Sequence, residues 1–197
     1  MKKIAFLCAT TILLLTGCGD KEKIDENMIA GNKSTNKVER PTSITFNLST
    51  PKNKAIKLTQ SNKNVWSFQN ATGKVVMLDF FGTWCPPCKA EIPHLNNIRE
   101  KFGKDFEIIG IDIGQRDGSI NSNETLIEFL KDFSIKYPVV VGGDNSKLFS
   151  AVSQLNPSGS IPFMVLFDKK GNYLTHYVGM VPQEMIESDI KKAIKIK

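Results

Sequence analysis

Between residues 43 and 197 the chain alternates two hydrophobic rhythms. A period of two marks strands with one buried face, and a period near 3.6 marks helices packed along one side. Ile44, Phe46 and Leu48 alternate with polar residues, and Ala55, Ile56 and Leu58 follow after the polar turn Pro-Lys-Asn-Lys. Two short runs about such a turn predict a hairpin. Residues 74–81 carry the nearly continuous apolar run Val-Val-Met-Leu-Asp-Phe-Phe, which predicts a central strand covered on both faces. Residues 86–102 predict a helix with Leu95, Ile98 and Phe102 on one side, and residues 106–113 a second buried strand.

Farther along, residues 121–123 offer caps for a helix bearing Leu126, Ile127, Leu130 and Phe133. A strand at 137–141, a helix at 147–155 and a strand at 163–167 opened by Pro162 come next. The turn at 169–172 leads to a strand at 173–178. The last helix, 182–196, aligns Ile186, Ile190 and Ile194, with Glu184 and Glu187 near its start and lysines near its end, as the helix dipole favours. The order β-α-β-α-β, then a hairpin and a helix, predicts an α/β domain of three layers: a central mixed sheet flanked by helices.

The first 42 residues follow neither rhythm. Lys2 and Lys3 precede twelve uncharged residues, 4–15, a length that suits a secretory signal and is too short to span a bilayer. The run ends in Leu15-Thr16-Gly17-Cys18, which resembles the bacterial lipobox, in which the cysteine is lipidated and becomes the mature N-terminus. An ordinary cleavage site behind small residues is the alternative. The expected plan is a lipoprotein signal peptide at 1–17, a flexible tether at 18–42 rich in Lys, Glu, Asp, Asn and Ser, and a folded domain at 43–197. Lipid on Cys18 would hold the protein on a membrane without crossing it, on the periplasmic side or the outer face of the cytoplasmic membrane. Disulfides persist there.

Charge adds little. The 26 lysines and arginines against 20 acids give +6, or +4 once Lys2 and Lys3 are removed. Only Arg40, Arg99 and Arg116 are arginines, and the lysines are scattered among acids, so no nucleic-acid footprint emerges. Cysteine usage says more. Cys8 leaves with the signal and Cys18 carries lipid, so Cys85 and Cys88 alone remain as thiols.

These two lie in Trp84-Cys85-Pro86-Pro87-Cys88-Lys89, where a buried strand meets a helix. Cys85 at the helix N-terminus would meet unpaired N–H groups and the positive end of the dipole, which favour the attacking thiolate. Cys88, one turn inside, is expected to be less exposed and to resolve the mixed disulfide. Pro86 is tolerated because first-turn N–H groups have no partner within the helix. A structural zinc site would need further ligands, and His94 and His176 are poorly spaced to supply them. No metal and no cofactor beyond the cysteine pair is expected.

The stretch from Val75 through Cys85-Pro-Pro-Cys88 to Leu95 resembles the thioredoxin superfamily, specifically its extracytoplasmic TlpA/ResA-type branch. Pro93 matches the proline that kinks the active-site helix. Ser160-Ile161-Pro162 matches the cis-proline loop, Asp168-Lys-Lys-Gly-Asn172 the hairpin after it, and residues 115–138 the helix and strand this branch inserts. The resemblance implies a thioredoxin-like fold with an N-terminal β-hairpin, and catalysis by Cys85 and Cys88. It implies a cis Ile161–Pro162 bond, with Ile161, Pro162, Trp84, Pro86 and Pro87 meeting the substrate. Asp79 matches the buried aspartate of thioredoxin proper, where most of this branch carries a neutral residue. Glu91 matches an acid near the ResA-type site; otherwise it would be a solvent-facing helix glutamate. Lys89, His94 and His176 read as ordinary surface or packing residues.

Carboxylates near the thiols disfavour thiolate and push the pair toward the reducing end. The family points the same way. The expected protein is a monomeric, membrane-anchored protein disulfide reductase of the cytochrome c maturation type, recharged by a membrane thiol-transfer protein. A copper-handling protein using both thiols with His176, and a thiol peroxidase, stand as alternatives.

Overall fold

The computed structural model describes residues 43–61 and 64–196. Cys18 and the expected signal peptide and tether lie outside them. Eight strands and four helices follow in the order β1 (Ser43–Ser49), β2 (Ala55–Ser61), β3 (Trp66–Phe68), β4 (Val75–Phe81), α1 (Pro86–Phe102), β5 (Phe106–Asp112), α2 (Asn123–Asp132), β6 (Val139–Val140), α3 (Asp144–Ala151), β7 (Phe163–Phe167), β8 (Tyr173–Val178) and α4 (Gln183–Lys195). Among the described residues, no helix is long and apolar enough to cross a membrane.

The central sheet runs β6-β5-β4-β7-β8, parallel from β4 to β6 and antiparallel from β4 to β8. Strand β4 lies in the middle, and all seven of its residues are buried. Because successive side chains alternate, β4 supplies two cores at once. Val76, Leu78 and Phe80 enter one, beneath the small sheet β1-β2-β3 and α3. Val75, Met77 and Phe81 enter the other, against α1, α4 and Phe129 of α2. Asp79 shares the parity of Met77 and Phe81, so its carboxyl enters this second layer. The three layers expected from the alternation are present.

Several elements depart from their predicted form. The N-terminal hairpin gains a third strand, β3, too short to show a period. Gly171 N–H and C=O groups sit in the β7–β8 turn, and its carbonyl accepts from Trp66 N–H at 2.8 Å, joining the small sheet to the large one. A Cβ at Gly171 would fall 1.6 Å from the Trp66 carbonyl oxygen, and its φ is +82°, so only glycine closes this contact. Strand β6 shrinks to two residues. Pro138 cannot donate to a ladder, and Val141 turns away to bridge Ser49 of β1. The helix predicted at 147–155 starts earlier, as α3, and its tail is a separate 3₁₀ turn at Ser153–Leu155. Ile127, expected on the buried side of α2, is exposed.

Candidate active site

Helix α1 begins where β4 ends, so the central strand delivers the cysteine pair to the carboxyl edge of the sheet. Between them, Gly82 lets the chain turn: a Cβ there would meet the Trp84 ring at 2.8 Å. Cys85 is the N-cap of α1, with extended φ and ψ, and Pro86 and Pro87 fill the first helical positions. Cys85 and Cys88 are joined in a disulfide. Cys88 N–H donates to Cys85 Sγ at 3.2 Å, and Cys85 Sγ lies 3.9 Å from the Ile161 carbonyl oxygen. The Ile161–Pro162 peptide bond is cis. Pro162 is buried, Ile161 half-buried, and Pro86 and Pro87 are exposed beside the sulfurs.

One expectation is overturned. Cys85 is 2% exposed and Cys88 3%, so the first cysteine is as buried as the second. The reason lies 76 residues away, in the Ile161 loop that closes over Cys85 Sγ.

Glu91 follows Cys88 by three residues, hence on the same face of α1. It is buried, not solvent-facing, and neither carboxyl oxygen has a hydrogen-bond partner. Burial raises its pKa, and nearby His94 acts in the opposite direction. His94 is half-buried, with an unpartnered Nδ1. Asp79 on β4 faces the same layer. Burial first, and then the Glu91 charge, push its pKa up to about 7, against one hydrogen bond from Tyr137. That Tyr137 hydroxyl donates to Asp79 Oδ2 at 3.4 Å. Asn96 of α1 fixes the approach of Tyr137, accepting from Lys136 N–H and donating to the Ser134 carbonyl. Burial, then the Asp79 carboxylate, hold the phenol well above its ordinary pKa. The structure thus gathers Asp79, Glu91 and Tyr137 on the face of the sheet whose core holds the cysteines; Tyr137 read in the sequence only as a strand residue.

A second polar cluster also escaped the sequence reading. Asp112, at the end of β5, is buried, and both its carboxylate oxygens accept from Asn121 Nδ2 at 3.0 and 2.9 Å. Asn121 also reaches Thr83 Oγ1 at 3.5 Å and accepts from Gln115. The loop so fixed presents Gly114 C=O to Trp84 Nε1 at 2.9 Å. The one sequence signal was an acid in a largely apolar strand, as with Asp79.

Lys89 stays at the surface, its ammonium 5.6 Å from the centre of the Phe133 ring. His176 pairs in register with Val165 and meets the edge of Phe163, both in the core beneath the small sheet. The cysteines belong to the other core. The copper arrangement of two thiols with His176 is therefore excluded, because the sheet separates them. Among the described residues, no group of three or more His, Cys, Asp or Glu is placed to hold a metal ion.

The Redoxin family model matches residues 46–194. Thiol-disulfide oxidoreductase ResA of Bacillus thuringiensis subsp. konkukian is 32% identical over 123 residues, covering 61% of this chain and 64% of that one. This chain thus matches just under two thirds of that relative's length. ResA of Bacillus subtilis is 27% identical over 186 residues, 94% of this chain and 91% of that one. Among solved structures, a thioredoxin family thiol:disulfide interchange protein from Chlorobium tepidum superposes with a TM-score of 0.60 at 24% identity, over 79% of this chain and 97% of that one. The exposed lipoprotein thioredoxin of Streptococcus pneumoniae gives 0.59 at 23%, over 76% and 99%. At such identities the likeness speaks for the fold, which is thioredoxin-like. The chain belongs to the Redoxin family.

Proposed function

We propose that this protein is a thiol–disulfide oxidoreductase working as a reductase of protein disulfides. The observation that carries the reading is the Cys85–Cys88 disulfide capping α1, with Cys88 N–H on Cys85 Sγ beside the cis Ile161–Pro162 bond. Once the pair is reduced, the same N–H and the helix dipole favour thiolate at Cys85. That thiolate attacks a substrate disulfide, forming a mixed disulfide and expelling one substrate thiolate. Cys88 then attacks Cys85 Sγ, re-forming the intramolecular disulfide and releasing the second substrate thiol. Two electrons pass to the substrate, and two protons end on its thiols. Trp84, Pro86, Pro87, Ile161 and Pro162 form the surface that meets the substrate.

Asp79 and Glu91 support the reducing direction. Charge in the layer beneath the sulfurs raises the cost of a second anion there, which favours the oxidised protein and so makes the reduced one a stronger donor. As a carboxylic acid near neutral pH, Asp79 is also suited to exchange a proton during resolution by Cys88. The full reading places the domain outside the cytoplasm on a lipid anchor at Cys18, monomeric, and recharged by a membrane thiol carrier. Apocytochrome c is the substrate class the family resemblance favours. Expressing Cys88→Ser in the native host tests this: Cys85 should hold substrates as mixed disulfides identifiable by mass spectrometry. Recovery of none would overturn the reading.

A further inference from the structure

The chain is sparing with arginine, and the described residues hold two. Arg99 is fully engaged, its Nε and Nη2 donating to the Glu107 carboxylate at 2.5 and 3.0 Å. Arg116 is placed differently. Its guanidinium carbon lies 4.6 Å from the centre of the Trp84 ring, next to the disulfide. The residue is exposed, and among the described residues no carboxylate forms an ion pair with it. The adjacent Asp117 carboxylate is occupied within its own turn, accepting from Ser119 N–H at 2.9 Å and from the Ser119 hydroxyl at 2.7 Å.

This cation is held in place. Trp84 Nε1–H is anchored on Gly114 C=O, and the turn is closed by Gln115 N–H on Ser119 C=O at 2.8 Å. Gly118 N–H adds a bond to Gln115 C=O at 3.0 Å, and Asn121 ties the far end of the loop to buried Asp112. A guanidinium over an indole ring still has N–H groups to offer a carboxylate in a fork, which a lysine in the same place could not do as well. The loop at Cys85 Sγ carries the apolar pair Ile161 and Pro162. Gly179 N–H donates to Pro162 C=O at 2.8 Å, which ties the end of β8, just before half-exposed Met180, to that loop. The mouth is therefore cationic on the Trp84 side and apolar on the Ile161 side. The other cation at the start of α1, Lys89, is turned toward Phe133.

We propose that Arg116 is a specificity residue: it receives an aspartate or glutamate beside the substrate's disulfide, so that acidic flanks are preferred on that side. The inference rests on the reductase reading and adds the substrate's chemistry to it. Arg116 contributes to encounter and binding, and takes no part in the bond exchange.

Reduced protein is mixed with two disulfide-linked peptides that differ only in Glu or Gln next to one cysteine, and the rate of disulfide reduction is followed. An exposed, stacked pair should favour the Glu peptide about twofold to fivefold at low salt. The ratio should fall toward one as salt is raised. In Arg116→Gln the ratio should approach one at low salt, and Arg116→Lys should restore part of it. Equal rates in the wild type, or a preference that survives Arg116→Gln, overturns the inference while leaving the reductase reading in place. Reduction of neither peptide overturns the reductase reading, and the inference falls with it.

Discussion

The two faces of the central sheet are built from the same strands to opposite ends. Beneath the small sheet, Phe80 stacks on Phe163 at 5.5 Å and meets Phe149 at 5.4 Å, while Trp66 and Phe68 close on Phe167. This face is an aromatic core. The face against α1 and α4 instead takes in a disulfide, two carboxyl groups and a phenol. Its unpartnered Glu91 oxygens and its Asp79, titrating near neutrality, cost stability that the aromatic side must offset. One strand thus carries a stabilising face and a reactive one, and substitutions on the two should fail in different ways.

The largest effect falls on the reactive face. Cys85→Ser should abolish disulfide reduction in a turnover assay, whereas its stability should drop by only about 2 kcal/mol, because so short a loop constrains little of the unfolded chain. Phe80→Ala should do the reverse. Denaturant unfolding should register a loss of about 3–5 kcal/mol for this fully buried ring. The redox potential of the cysteine pair should stay where it was. A potential that moves with Phe80→Ala would erase the division between the faces.

Asp79→Asn comes next and gives the division a pH signature. The folded-state pKa of Asp79 is raised from 3.8 to about 7, so between those values the native state binds the extra proton. Stability therefore falls as pH rises through that window and stays reduced above it. At about 1.4 kcal/mol per unit the cost at pH 8 is on the order of 4 kcal/mol. Removing the charge recovers it, less about 1 kcal/mol for the weakened Tyr137 hydrogen bond. Asp79→Asn should thus be about 3 kcal/mol more stable than the wild type at pH 8 and no more stable at pH 4. Equal gains at both would mean that the carboxyl keeps its ordinary pKa in the folded state. Smallest is Ser122→Ala. This N-cap accepts from Thr125 N–H at 3.2 Å, and its loss should cost about 1 kcal/mol while sparing reduction, since α2 backs the reactive face with apolar side chains, Phe129 and Leu130, and supplies none of the reacting groups.

What the sequence made legible follows from how far each signal reaches. The unbroken apolar run of β4 and the prolines opening α1 are local, and both elements lie where the pattern put them. The three-residue β3 and two-residue β6 are too short for any period, and are held by partners distant in sequence. At the site, the cysteine pair was plain from spacing, and Asp79 from being an acid in an apolar strand. The burial of Cys85 depends on a loop 76 residues away, and Tyr137 meets Asp79 across 58 residues. Arg116 on Trp84 depends on the loop anchored at Asp112. No window of sequence contains those pairings.

The equilibrium of the Cys85–Cys88 pair reports the direction of electron flow most directly. Purified domain equilibrated against defined dithiol–disulfide buffers, with the two forms separated after alkylation, yields the reduction potential. A reductase with buried carboxyls under its thiols should lie near the thioredoxin range, about −270 mV. A value near about −120 mV, where the strong oxidases sit, would contradict it.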